Sequence, residues 1–434
     1  MSDGGNLTLT TSAPIVLCLP TDVEIMVFEL VRESTFITKE RVTLWSAALL
    51  LAYVVAIIVL FSSAHGLIDY QGRPLGTDFA DVYTAGHSVL QGDALAPYSP
   101  AHHYRNEQDL FGSNVPFYGW HYPPYFLFIA APLARLPYIA SLTVWQVTTC
   151  ALYLLALWWL LRTGPTQHVL NDRRWIVLAL AFPAVFMNIT HGQNGFLTAA
   201  LLTGALAAYN SRPILSGVLF GLMIYKPQFG LLVPIALFAE SRWKTIAAAV
   251  ATVAIASLLT VAVFGAEVWT AFFHSLTFTR TAALDQGAAG YFKMQSVFAW
   301  VRMWGGPLPL AYIVQSLTTI GAGIVVYRTW RSDMSFAGKA AVLCLSSVLA
   351  TPYCYDYDLI VLAPGIALLV SDGLAHGFRP FERFAAAMLW AVPILSRSIA
   401  YWTILPMGAI VCLGTLLLLV CRPPGKCLEA AIPV

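Results

Sequence analysis

VTLWSAALLLAYVVAIIVLF, residues 42–61, decides the class of fold. An uncharged apolar stretch of this length makes a helix of about 30 Å, the thickness of the hydrocarbon core of a bilayer. Further runs of the same kind stand at 140–161, 246–264 and 402–420. The whole chain is 58% hydrophobic and 11% charged, whereas soluble domains run near 45–50% apolar and about 25% charged. An all-α polytopic membrane protein is expected.

Charge and cysteine content exclude several classes of function. The net charge is +2 with no basic patch, which removes nucleic acid as a partner. The seven cysteines are scattered without a CxxC pair, so neither a disulfide framework nor a zinc site is indicated. No P-loop, no GxGxxG after a strand, no GxSxG and no HExxH occurs. No cofactor is implied; the sequence leaves divalent metal open.

Orientation follows the positive-inside rule. Placing Lys39/Arg41, Arg162/Arg173/Arg174, Arg212, Arg242/Lys244, Arg328/Arg331/Lys339, Arg379/Arg383 and Arg422/Lys426 on the cytoplasmic side yields about twelve spans with both termini inside. The spans fall near 42–61, 140–161, 175–190, 195–209, 213–226, 228–240, 244–264, 308–327, 339–352, 357–370, 384–399 and 402–420. The membrane domain then covers 39–420, between a cytoplasmic tail at 1–38 and another at 421–434. Segment 122–138 carries four prolines and Arg135, which suits a juxtamembrane or re-entrant helix on the outer face. Lys226-Pro227 inside 214–238 splits that run into two short helices meeting at the outer surface.

This threading gathers the polar motifs on the outer face. The first outer loop, within 62–139, contains Gly76-Thr77-Asp78-Phe79-Ala80-Asp81-Val82-Tyr83. Phe79, Val82, Tyr83, Val89 and Leu90 have the spacing of an amphipathic helix lying on lipid, with Asp78 at or near its N-cap. Asp78 is read either as that cap or as a proton acceptor at the membrane surface; Asp81 either bonds an acceptor hydroxyl or meets water. Gly119-Trp120-His121-Tyr122-Pro123-Pro124 is an aromatic re-entry to the membrane, where the rings mark the headgroup belt or stack on a sugar. His121 there suits a phosphate, a sugar hydroxyl or a structural bond.

Four further motifs join the same face. His191-Gly192-Gln193-Asn194-Gly195 is a tight turn whose Gln193 and Asn194 exceed what turning needs. Tyr225-Lys226-Pro227-Gln228 sets a lysine at membrane depth, costly unless paired or facing an anion. The 279–296 segment brings Arg280, Lys293 and Gln295, with Gly287 and Gly290 as hinges of a mobile loop or of a plain connector. Tyr355-Asp356-Tyr357-Asp358 opens a helix, where Asp356 and Asp358 either offset the helix dipole or pair with Lys226, Lys293 or Arg280.

Taken with Gly92-Asp93, Tyr98, Tyr122-Pro123-Pro124 and Lys293-Met294-Gln295-Ser296, this combination resembles family 87 of the glycosyltransferases over residues 40–420. The family is similar to the mycobacterial polyprenyl-phosphate-mannose-dependent mannosyltransferases and belongs to the GT-C fold class. The resemblance implies a GT-C-type bundle of about 12 transmembrane helices with outer-face juxtamembrane helices in the first loop. It also implies a multi-pass enzyme of the plasma (inner) membrane, its site on the extracytoplasmic face. The donor would be a polyprenyl-phosphate sugar, mannose or another hexose or pentose, and the acceptor an extracytoplasmic lipid or glycan. The family's acidic base in the first outer loop falls on Asp78, and its polar motifs fall on Gln193, Asn194, Lys226, Gln228, Lys293 and Gln295.

By charge, Lys226, Arg280, Lys293 and His121 are the phosphate candidates; Asp81, Gln193, Asn194, Gln228, Gln295, Asp356 and Asp358 are candidate substrate contacts. The rival class is a polytopic transporter or lipid flippase, which would place ionisable residues at the bilayer midplane and show internal repetition. No convincing repeat is found. A lipid-carrier polymerase or ligase would share the outer-face site.

Overall fold

A computed structural model describes residues 22–163, 169–170 and 172–421. Residues 1–21, Arg422, Lys426 and nearly all of the expected C-terminal tail lie outside the described residues. Among those described there is no β-strand, only isolated bridges and helices.

In chain order the helices are α1 (Asp22–Glu33), α2 (Lys39–Ser62), α3 (Thr77–Leu90), α4 (Pro100–Phe111), α5 (Leu127–Leu133), α6 (Tyr138–Thr163), α7 (Arg174–Ala181), α8 (Pro183–His191), α9 (Gly195–Ala208) and α10 (Pro213–Leu222). They continue as α11 (Val233–Ala239), α12 (Trp243–Phe264), α13 (Glu267–Thr279), α14 (Val297–Met303), α15 (Leu308–Trp330), α16 (Phe336–Leu349), α17 (Ala363–His376), α18 (Glu382–Thr403) and α19 (Met407–Val420).

Two kinds of apolar helix separate by burial. In α2 and α12 the apolar side chains face outward: Leu44, Trp45, Leu51, Ile58, Leu258 and Val263 are all exposed. Water would not tolerate such a belt, whereas lipid is its natural solvent. Helices α9 and α16 are instead buried along nearly their whole length and form the centre of the bundle. Around them pack α6, α10, α15, α17 and α19.

Helices stand at every place where a span was expected, but length divides them. Among the described residues six are long and apolar enough to cross a membrane (α2, α6, α12, α15, α18 and the continuous Asp356–His376, a 3₁₀ turn running into α17), or seven if the bent pair α7 and α8, broken at Pro183 by 54°, counts as one. Among the shorter ones, α9, α16 and α19 have 14 residues each, about 21 Å at 1.5 Å per residue. The expected count of about twelve full crossings is therefore not what helix length alone supports.

The split at Lys226-Pro227 is present, since α10 gives way to short 3₁₀ turns on both sides of Lys226. Its depth is informative. A Cβ on Gly217 would lie 2.3 Å from the Thr245 carbonyl oxygen, and one on Gly221 2.8 Å from that of Ala249, so α10 and α12 run parallel in close contact. This register leaves Lys226 roughly 15 Å short of the C-terminal end of α12 at 1.5 Å per residue. The apex is recessed into the bundle; it does not lie level with that helix end. The segment Pro124–Leu133 occupies the space above it, with Tyr125 Oη 2.8 Å from Ser257 Oγ and Phe128 against Phe264 at 4.8 Å. It is too short to cross a membrane, as its prolines predict.

The first loop departs from expectation. Phe79 and Val82 of α3 are buried against protein and do not rest on lipid: Phe79 packs on Tyr138 at 5.7 Å, and Tyr83 Oη donates to the Leu136 carbonyl at 2.9 Å. The N-terminal part of the face predicted for lipid docks α3 onto α5 and the start of α6, while Leu90 at its far end stays exposed.

Candidate active site

The first turn of α3 carries Asp78, following Gly76 in the left-handed region at φ 69°. Its half-buried carboxylate accepts one side-chain hydrogen bond, from Gln193 Nε2 at 2.7 Å. Gln193 is itself held: its Oε1 accepts the Asn194 N–H at 3.0 Å, and Gln146 Nε2 donates to its carbonyl at 3.4 Å. Gly192 makes this meeting possible. It ends α8 at φ 63°, and a Cβ there would lie 2.5 Å from Phe79 Cβ and 2.8 Å from the Gly76 carbonyl oxygen. Only a residue without a side chain lets the 191–195 turn close on the start of α3.

Below that contact lies a buried polar lattice. Lys226 Nζ donates to Asp358 Oδ1 at 2.6 Å and to Asn194 Oδ1 at 3.0 Å, and the lysine is only 6% exposed. Asp358 Oδ2 accepts the Tyr355 N–H at 3.0 Å. Asn188 Nδ2 reaches the Tyr357 carbonyl at 2.9 Å. Asp356, fully buried, takes Arg397 Nε of α18 at 2.6 Å on Oδ2 and the Tyr357 N–H at 2.9 Å on Oδ1.

Lys293 arrives on the 287–296 loop. The loop is tied to the 353–358 segment by the Met294–Tyr355 bridge and by Gln295 N–H to the Cys354 carbonyl at 2.6 Å. Lys293 is half-buried and forms no ion pair among the described residues. Burial lowers its pKa most, and the Arg397 charge adds to this, while the Asp78 and Asp356 charges oppose. Asp78, Lys293, Arg397 and Asp356 thus share one electrostatic environment.

Several expected site residues have structural partners instead. Asp81 is buried away from bulk water, with its Oδ1 2.9 Å from His103 Nε2 of α4. Burial, then the Asp78 charge, raise its pKa well above the ordinary value. Gln295 is buried, its Oε1 accepting the Gly408 N–H at 2.9 Å, so it fastens α19 to the loop and is not open to a substrate. Arg280, with 60% of its side chain exposed, sits 3.7 Å from Asp285. His121 is exposed, with Nδ1 2.9 Å from Thr279 Oγ1, and Gln228 is half-buried beyond Pro227. Of the carboxylate pairings anticipated, Asp358 with Lys226 is present; Asp356 takes an arginine that was not among the candidates.

The structure adds residues that motif reading missed. Arg397 carried a usable signal, an ionisable side chain inside an expected span. His103 and Glu107 carried none. Glu107, 1% exposed, accepts the Tyr118 N–H at 3.1 Å and stands 3.7 Å from His103 Nε2. This trio holds the 115–121 segment, and Tyr118 on it feels the Asp78 charge. Among the described residues no group of three or more His, Cys, Asp or Glu side chains is arranged to hold a metal ion.

A lipid-exposed helical bundle with a recessed polar site of carboxylates, amides and cations defines an integral membrane protein whose working groups lie between helices. The model of glycosyltransferase family 87 matches residues 120–352, more than half of the chain. The chain belongs to that family and is a membrane glycosyltransferase. No curated protein and no solved structure matches it. The matched region includes His121, the 191–195 turn, Lys226 and Lys293; Asp78, Asp356, Asp358 and Arg397 lie outside it. Nothing in the match favours the transporter.

Proposed function

We propose that this protein transfers a hexose or pentose from a polyprenyl-phosphate donor to an extracytoplasmic lipid or glycan acceptor, with inversion and with Asp78 as general base. The observation that supports this reading is the Asp78 carboxylate itself. Gln193 orients one oxygen, while Oδ1 has no partner among the described residues. Oδ1 takes the proton of an acceptor hydroxyl as that oxygen bonds to the anomeric carbon, and the bond from that carbon to the phosphate oxygen breaks. The electron pair leaves with the lipid phosphate, which needs cations and no proton, so one carboxylate suffices. The site would face the outside of the inner membrane.

Asp78→Asn keeps size and hydrogen bonding but removes the base. Sugar transfer from a polyprenyl-phosphate sugar in isolated membranes should fall at least about 100-fold, with the detergent-solubilised protein still monodisperse. Retained wild-type turnover overturns the assignment.

A further inference from the structure

We infer that Lys293 and Arg397 together form a subsite for the phosphate group of a polyprenyl phosphate. The argument is by the state of each cation near Asp78. Lys226 is neutralised by Asp358 and held by Asn194. Arg280 stands outside beside Asp285, and Arg73 grips Asp69 through both Nε and Nη2. Lys293 and Arg397 remain, both half-buried and brought together where α18 packs on the Tyr291–Lys293 turn, with Phe292 meeting Tyr401 at 5.3 Å.

Asp356 is the carboxylate in contact with this pair among the described residues, and it engages Arg397 through Nε alone. That bond fixes the guanidinium plane and leaves its Nη donors available for a second oxyanion, which matches planar recognition of phosphate. Asp78 acts on Lys293 only from beyond ion-pair distance, so the half-buried ammonium has no anion in contact with it, an arrangement that favours binding one. Both cations are rigidly mounted: Arg397 on α18, Lys293 on a loop bridged to Tyr355. The identity of the phosphate's cargo rests on the glycosyl-transfer reading; the anion subsite does not. A phosphate leaving the sugar gains charge, so these cations gain strength as the bond breaks.

The test is binding, with the full chain in lipid nanodiscs. A polyprenyl phosphate, the matching polyprenol and inorganic phosphate serve as probes. The wild type should prefer the lipid phosphate over the polyprenol at least tenfold. Arg397→Gln and Lys293→Gln should each erase most of that preference, Arg397→Lys should restore part of it, and Arg280→Gln should leave it intact. Lys293→Gln breaks no ion pair, so it stays informative even if Arg397→Gln fails to fold. Unchanged preference in Lys293→Gln overturns the subsite, as does equal loss of polyprenol binding. Inorganic phosphate binding as tightly as the lipid ester overturns the lipid assignment. Asp78→Asn with full turnover would remove the proposed base and leave this subsite standing, so the two failures are separable.

Discussion

Gln193 donates its side-chain amide N–H to the Asp78 carboxylate over 2.7 Å, joining residues 115 positions apart. It is the contact through which the turn after α8 reaches the start of α3. A carboxylate that accepts one oriented bond keeps its second oxygen aimed, which is what a base at a recessed site requires. Gln193→Ala should lower kcat for sugar transfer about tenfold, the kinetic equivalent of one charge-assisted hydrogen bond. KM should change little; an unaltered kcat would show that Asp78 is positioned by something else.

Gly192→Ala tests the same junction from the backbone side. A side chain at φ 63° is strained, and its Cβ would approach Phe79 Cβ to 2.5 Å. Strain of this kind costs about 1–3 kcal/mol. Thermal unfolding in detergent should shift down and turnover should fall with it, whereas Ala at the open Gly414, which meets nothing within 4 Å, should do neither.

Lys226 and Asp358 form a buried ion pair with 8% and 2% of their side chains exposed. Lys226→Met strands a buried carboxylate and should destabilise the protein by about 3–5 kcal/mol. Combining it with Asp358→Leu removes the stranded charge and should recover most of the loss in thermal unfolding. A double variant as unstable as the single one would assign Lys226 a role beyond pairing.

Stability should depend on pH through Glu107 and His103. Burial, then the Asp81 charge, push the Glu107 carboxyl up to about 9 from an ordinary 4.5, against the opposing Tyr118 N–H. A raised folded-state pKa means that its contribution is whole below pH 4.5 and is lost as pH climbs towards 9. Burial holds His103 down to about 3 from 6.5, so its contribution is present above 6.5 and is lost as pH falls towards 3. Glu107→Gln should therefore gain in melting temperature over wild type progressively from pH 5 to pH 9. A difference that stays flat across that range contradicts a buried, neutral Glu107.

How far the sequence could be read depended on the kind of question. Apolar runs, the break at Lys226-Pro227 and the proline-bound 124–133 segment were all legible, because propensity and proline chemistry act locally. The face of α3 was legible as amphipathic, but its partner was not: Phe79 and Val82 suit lipid and protein equally by hydrophobicity. Asp81 and Gln295 looked like site residues because exposed and buried polar groups have the same letters; their partners, His103 and Gly408, decide the matter.

Membrane residence, helical class and the stock of ionisable groups available for chemistry follow from the chain's composition and order. Transfer into lipid is a sum over neighbouring residues and needs no knowledge of the fold. Which cation is neutralised and which stays open was decided only when distant segments packed. Asp358 reached Lys226 across 132 residues and Asp356 reached Arg397 across 41, leaving Lys293 without a carboxylate of its own. Electrostatic pairing falls off with distance in space, and no spacing along the chain reports that distance.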